Sequence, residues 1–525
     1  MITVAEFPAS NELSPLSTQE PTIDADKNQL NDVKVVSDKE LVVVVKPSTF
    51  EPELHYYPRV LNSIIHPLVF SFFSLGNDRI IQRFHHLNPQ VDRKKLHQIL
   101  DYSPKYFKWA GSDLFNVTTQ SGKKQMIVIE TNSCPSGQKS MPLLDENQVS
   151  GGYRKVLASS LGDIVDSQLH GSSGKLAVIY DKNAMEVTGY AAALADLAKE
   201  DVFLVPYYNE GPNSHIKWVP SEDQSSGDTL YIRDELNNWH EIRACFRYVT
   251  QKPWNRIPIK SKTKILNPIV SCLAGGRNKM MASVAYEMYN LELRGSGLSI
   301  RVPETINNVA KSEIPLWLKS MGHHGVLKVP YSNAGQGVYT ITSDTQLTEF
   351  MNTNHHYDKF IVQSLVGNSE WSSRAKGESY YHVGTVPNAK GETYVSDLRM
   401  MVCGNESGFS PVCMYARRAR KPLVSVLDDY SAKNSWEMLG TNLSVKHADG
   451  SWSTESSRLA LMDHKDFNKL GLGIDDLIDC YIQTVLSTIA IDKMCKKLVN
   501  PDNSFNFELF ADLNPDESLL DEICK

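Results

Sequence analysis

The chain lacks paired cysteines. Its eight cysteines are scattered, with no Cys-x-x-Cys and no metal-ligand spacing, which argues against a zinc site or a disulfide framework and suits reduced thiols in a cytoplasmic protein. It lacks long apolar runs. The greasiest stretch, residues 67–75, is too short to cross a bilayer and carries serines, so no membrane partner is expected. The N-terminal residues hold no basic segment followed by an apolar one, so no secretory leader is expected. Positive charge is not in excess: the formal net charge is −7, and nucleic-acid binding usually leaves a basic footprint. No Gly-x-Gly-x-x-Gly follows the strand-like run Lys175–Tyr180, so a dinucleotide site there is unsupported. The pairs His323-His324 and His355-His356 point to different faces and are weak metal ligands. No Ser/His/Asp or Cys/His nucleophile arrangement is indicated.

What remains is a 525-residue globular composition, 41% hydrophobic and 22% charged, long enough for several packed units. Strand-like and helix-like runs alternate, which predicts an α/β fold. Residues 1–45 read as a disordered acidic tail. Residues 46–170 read as a helical region that ends in strands, and 171–300 as a Rossmann-like unit built on the βαβ signal of residues 175–206. Residues 301–358 and 359–525 form two further α/β units.

The chain is organised around Gly325-Val-Leu-Lys-Val-Pro-Tyr-Ser-Asn-Ala-Gly-Gln-Gly337. A short buried strand delivers Lys328. The loop that follows, with Ser332, Asn333, Gly335, Gln336 and Gly337, is poor in side chains and lets backbone N–H groups turn towards an anion. A lysine beside such a loop supplies the point charge a phosphate needs.

Upstream, Gln125-Met-Ile-Val-Ile-Glu-Thr-Asn132 reads as a strand with Glu130 and Asn132 on one face, and Gly111–Val117 as a polar turn leading into a partner strand. A carboxylate and an amide side by side suit Mg²⁺, and Asp113 on the partner strand is placed to join them. Arg247 and Lys279 are cations at element ends. Lys359–Val366 is an apolar strand whose last residues, Gln363, Ser364, Leu365 and Val366, can offer backbone groups to a purine. Asp397 and Arg399 share a strand face, and Arg417, Arg418 and Arg420 follow in the next strand. Phe505–Asn514 reads as a last strand with Glu508, Asp512 and Asn514 on one face.

Taken in order, these pieces resemble the ATP-grasp carboxylate–amine ligases. The resemblance covers roughly residues 110–515 and is clearest over 265–445. It implies two α/β subdomains clasping ATP, with a Rossmann-like substrate domain ahead of them. Lys328 corresponds to the phosphate-binding lysine, Ser332–Gly337 to the flap, and Gln363–Val366 to the adenine hinge. Lys279 and Arg417 join the ATP-binding set, while Arg399, Arg418 and Arg247 hold the substrate or the oxyanion. The order of motifs is similar to the permuted members, glutathione synthetase and glutathionylspermidine synthase, in which the early strand supplies the metal ligands, here Glu130, Asn132 and Asp113. The unpermuted pattern instead points to Asp492, Asp512 and Asn514. The implied reaction uses ATP and Mg²⁺, converts a carboxylate to an acyl phosphate, and joins it to an amine, releasing ADP and phosphate. The substrates are then small molecules, such as an amino acid, a peptide or a polyamine. A small-molecule kinase or a non-catalytic ATP-binding regulator are the alternatives. The sequence allows a homo-oligomer without requiring one.

Overall fold

The computed structural model describes residues 42–165, 174–208, 214–221, 227–250, 254–332, 335, 337–446 and 452–524. The segment read as the acidic tail lies outside them up to residue 41. The fold is α/β, and among the described residues three larger sheets carry it.

The first sheet runs Val43–Val45, Val202–Pro206, Lys175–Tyr180, Trp239–Tyr248, Thr229–Arg233 and Ile216–Val219, with Lys264–Leu266 also paired to Trp239–Tyr248. Its centre is parallel. That arrangement needs apolar residues on both strand faces, and Leu176–Ile179 are fully buried. The crossover helix Ala184–Ala198 is alanine-rich because it packs flat on this sheet.

The second sheet is antiparallel, in the order Thr305–Ala310, Lys359–Gln363, Gly325–Lys328, Val338–Ile341. Leu327 points into its core with Val309, Ile314, Phe360 and Val362. By the strand period of two, Val326 and Lys328 must point the other way.

The third sheet joins distant parts of the chain. Trp109–Thr119 pairs with Lys124–Asn132 on one side and with Ser396–Asn405 on the other, and Gly408–Arg418 follows. Gly111–Val117, read as a polar turn although Asp113 within it is placed on a strand, is continuous strand. Leu114 and Val117 in it are fully buried, and a turn would leave that apolar surface wet. The helix Ile474–Leu498 lies under this sheet. It is buried almost all round, which accounts for its length.

The expected strand Phe505–Asn514 is instead the helix Phe507–Leu513. The Asn506 side chain caps it by accepting from Leu509 N at 3.1 Å. Phe510 is the residue it buries. The alternation of polar and apolar residues suggested period two, but a capped helix satisfies the same residues. No helix among the described residues is long and apolar enough to cross a membrane. Of the eight cysteines, Cys134, Cys245, Cys272, Cys403, Cys413, Cys480 and Cys495 are buried and free.

Candidate functional site

The antiparallel sheet that carries Lys328, the joined sheet and the C-terminal end of the parallel sheet border one cavity of about 690 Å³. Lys328 enters it from the second sheet, beside Val326, Val338, Thr340 and Gln363. Opposite stands Lys124–Asn132. Its pairing with Trp109–Thr119 shifts register between Asp113/Glu130 and Leu114/Val128. This bulge at Ile129 lets Ile129, Glu130 and Asn132 all line the cavity.

Two ammonium groups flank Glu130. Lys279 Nζ lies 3.0 Å from Glu130 Oε1 and donates to the carbonyl and the hydroxyl of Ser332, each at 3.1 Å. Lys328 Nζ reaches the Ile129 carbonyl at 3.4 Å. Burial alone would raise the Glu130 carboxyl, but Lys279 and then Lys328 hold it below its usual range. Burial pushes the Lys328 ammonium down to about 8, against the pull of Glu130.

Beyond Lys328 the chain turns over the cavity. Gly335 and Gly337 both have positive φ, 75° and 66°. A Cβ on Gly337 would sit 2.3 Å from Val329 Cγ2, so the close hairpin requires glycine there. Asn333 and Gln336 lie outside the described residues.

The segment Ser364–Val366 is clamped. Leu365 N donates to Ser373 Oγ at 2.7 Å and Gly367 N to Ser372 Oγ at 2.8 Å. Ser373 N donates to the Leu365 carbonyl at 3.0 Å, and His382 N to the Gly367 carbonyl at 2.9 Å. The His382 ring packs edge-on to Phe115, with centroids 4.6 Å apart. Burial pushes the imidazole down to about 3, while the Val366 carbonyl, facing its N–H, pulls the other way. Among the described residues, the Ser364 carbonyl and the Val366 N–H have no partner. Both belong to an extended segment and face the same side.

The joined sheet contributes a charged face. Cross-strand register sets Asp397 opposite Arg417 and Arg399 opposite both Tyr415 and Asp113. Arg399 grips Asp113 with two bonds, 2.6 and 2.8 Å, and also donates to the Ser136 carbonyl at 3.2 Å. Arg417 bridges Asp113 at 2.8 Å and Asp397. Burial pushes the Asp113 carboxyl up, yet the two guanidinium groups outweigh it and hold it at about 2.

The turn Pro135–Gly137 is fixed from below by Glu186, which is fully buried. Glu186 accepts from Ser136 Oγ at 2.8 Å, Gly137 N at 3.0 Å and Gln138 N at 3.2 Å. That turn presents the carbonyl which Arg399 and Tyr415 share.

Several expected site residues stand elsewhere. Arg247 is fully buried and donates to the carbonyls of Asn267 and Val249 at 2.9 and 2.8 Å. Asn267 in turn stitches Trp109 to Ser133, so Arg247 holds the seam between two sheets and is not among the residues that line the cavity. Arg418 points away from the cavity, its guanidinium 4.5 Å over the Tyr394 ring. Asp113 has both oxygens committed to guanidinium donors, so it holds arginines and is not free to ligate metal. Asp492 is a buried helix residue that accepts from Tyr106 N, Phe107 N and Tyr102 OH. Asp512 is exposed, and the Asn514 amide oxygen accepts from the Asn278 side chain at 2.9 Å. None of these three lines the cavity. Among the described residues no three His, Cys, Asp or Glu side chains group tightly enough to hold a metal alone. Residues that sequence reading passed over, Lys182, Asn183, Arg277 and His382, do line the cavity. The signal for Lys182 and Asn183 was their place just past a parallel strand, where such sheets bind ligands.

No family model and no curated protein matches the chain. Among solved structures it is similar to a glutathione synthetase-like effector from Globodera pallida in apo form, at 11% identity and a TM-score of 0.36, over 67% of this chain and 81% of that one. It is also similar to a RimK-domain ATP-grasp protein from Sphaerobacter thermophilus, at 14% identity and a TM-score of 0.27, over 50% and 95%.

Proposed function

We propose that this chain is an ATP- and Mg²⁺-dependent ligase that activates a carboxylate as an acyl phosphate and joins it to an amine. The observation that carries the reading is the convergence on one cavity of Lys328, Lys279, Glu130 and the segment Ser364–Val366. The same cavity is lined by the apolar side chains of Phe115, Ile129, Val326 and Leu365. Its free acceptor and free donor match the amino group and ring nitrogen of adenine; guanine, with those roles reversed, would clash.

The donor set fits Mg²⁺ bound with a nucleotide. Mg²⁺ in such sites takes one or two carboxylates and fills its shell with phosphate oxygens and water. Glu130 keeps a partly exposed carboxylate towards the cavity, and Asn132 stands two residues on and lines the same cavity, where its amide oxygen is the atom of the type Mg²⁺ takes. These two residues would hold the ion, which offsets phosphate charge when bound.

The chain's own tasks are then positioning and charge neutralisation. Lys328 and Lys279 bind the outer phosphates, and the hairpin beyond Lys328 shields them from water. A substrate carboxylate oxygen attacks the γ-phosphorus and ADP leaves. The acyl phosphate is attacked by the amine nitrogen, which loses its proton, and phosphate leaves. Arg399, fixed by Asp113 and Ser136, is the group placed to offset charge on the acyl oxygen.

A phosphate-release screen tests the reading, using purified protein, ATP, Mg²⁺ and a matrix of acids crossed with amines. Release that needs both partners, and stops without Mg²⁺, is expected. Transfer to a hydroxyl compound would make the protein a kinase. Tight ATP binding with no turnover across the matrix would make it a regulator.

A further inference from the structure

The helix Lys279–Glu292 begins with a cation at the wrong end. Aligned peptide dipoles make a helix N-terminus positive, so a lysine there is destabilising. Yet Lys279 is its first residue, and the side chain is only 10% exposed. The surroundings are built to keep it there. Asn278 caps the helix by accepting from Met281 N at 3.1 Å, and it donates to the Asn514 side chain at 2.9 Å. Lys279 N donates to the Pro330 carbonyl at 2.8 Å, and Asn278 pairs with Tyr331 across an antiparallel bridge. The helix start is thereby tied to the chain just past Lys328, and the ammonium is aimed at two anchors. One is Ser332, through its carbonyl and its hydroxyl. The other is Glu130, the carboxylate proposed above to take Mg²⁺.

Those two uses of Glu130 conflict. Asp113, the other carboxylate that acts on Glu130, is gripped by Arg399 and Arg417. Glu130 therefore faces two ammonium groups, Lys279 and Lys328. Asn333, Ala334 and Gln336 of the adjoining loop, which lie outside the described residues, carry no charge. A divalent ion on the same carboxylate stands among like charges in a partly buried corner, where repulsion is far stronger than in water. A triphosphate removes the conflict. Its negative charges draw the ammonium off the carboxylate and offset the ion at the same time.

We propose that Lys279 guards the metal seat: its ammonium and a divalent ion compete for Glu130, and Lys279 yields the carboxylate only when phosphates are there to receive it. Metal without nucleotide is then rejected. The metal seat rests on the ligase reading; the ion pair and the buried helix start do not. The guard has a signature of opposite signs. Removing the Lys279 charge helps the ion and hurts the nucleotide, whereas loss of a merely structural residue weakens both.

The test titrates Mn²⁺, which takes the oxygen ligands that suit Mg²⁺, into the full chain and reads the free ion by electron spin resonance. The native protein alone is expected to bind it weakly. Lys279→Met keeps the buried stem and removes the charge. It is expected to bind Mn²⁺ about tenfold or more tighter, the scale of one charge-assisted contact. In calorimetry it is expected to bind a non-hydrolysable ATP analogue weaker by a similar factor. Lys279→Arg keeps a cation on the carboxylate and is expected to stay near the native affinity for the ion. The gain in Lys279→Met is expected to vanish when Glu130→Gln is added. Micromolar binding of Mn²⁺ by the native protein alone overturns the guard without any variant. So does a Lys279→Met protein with no gain for the ion or no loss for the nucleotide, or a Lys279→Arg protein that gains as much. A gain that survives Glu130→Gln puts the ion elsewhere, and the metal seat of the ligase reading falls together with its guard.

Discussion

At the scale of single residues, the site rests on two kinds of charge: spent and unspent. Asp113 is spent. It lies between Arg399 and Arg417 with both oxygens engaged, and Asp113→Asn would leave two buried guanidinium groups short of a partner. Such a loss costs about 3–5 kcal/mol, read as a lower urea midpoint with an unchanged slope. The pH sign follows from the depressed carboxyl. Its stabilisation is fully present above the unfolded value of about 4 and drains away as pH falls towards about 2. A native urea midpoint equally high at pH 2.5 and pH 6 would contradict this. Lys328 is unspent: among the described residues it donates to the Ile129 carbonyl and lies in the fields of Glu130 and Lys279. Lys328→Ala is expected to keep the fold by circular dichroism and to weaken binding of an ATP analogue by about tenfold or more, with turnover lost. Full activity in that variant would remove Lys328 from the phosphate site.

At the scale of elements, the hinge makes the sharpest claim. Clamping by Ser372, Ser373 and His382 consumes the neighbouring backbone groups and leaves an acceptor at Ser364 and a donor at Val366. ATP should bind about tenfold or more tighter than GTP, because the reversed pattern leaves buried groups facing like groups. Ser373→Ala frees the Leu365 N–H and should narrow the ratio. Equal affinity for the two nucleotides in the native protein would refute the register. Elements built on simple alternation were legible beforehand. Val326–Lys328 and Lys359–Gln363 are strands, and Lys328 and Gln363 face the cavity as period two requires. Glu130 and Asn132 were legible for the same reason. Phe507–Leu513 was not, because a seven-residue amphipathic stretch fits either period and only the Asn506 cap and the docking of Phe510 decide. Arg247 was misread because a guanidinium serves equally to bind an anion or to stitch carbonyls, and only the fold brings Asn267 to it. Asp113 was half legible: its face was right, but its partners arrive from almost three hundred residues away.

At the scale of the whole molecule, the proposed function asks an acidic protein to attract a more acidic ligand. The chain carries a formal charge of −7, the same sign as ATP, so a smooth distribution would repel the nucleotide. The cavity inverts this locally with seven cations against four carboxylates. Its walls are low-dielectric sheet faces, which focus the field outward along the opening. Joining Trp109–Asn132 to Ser396–Arg418 in one sheet is what makes the concentration feasible, since neither segment alone holds both the arginines and their anchoring carboxylates. The two pictures differ in sign. If the net charge governed approach, added salt would screen repulsion and speed association. If the cavity governs, salt screens attraction, and the association rate of a fluorescent ATP analogue should fall several-fold as NaCl rises from about 20 to about 200 mM, over which the Debye length shrinks from roughly 20 to under 10 Å. Stopped-flow traces at fixed pH and saturating Mg²⁺ decide between them. A rate that climbs with salt would mean that the cationic lining is fully compensated from outside the cavity, and the phosphate-binding role of Lys279 and Lys328 would fall with it.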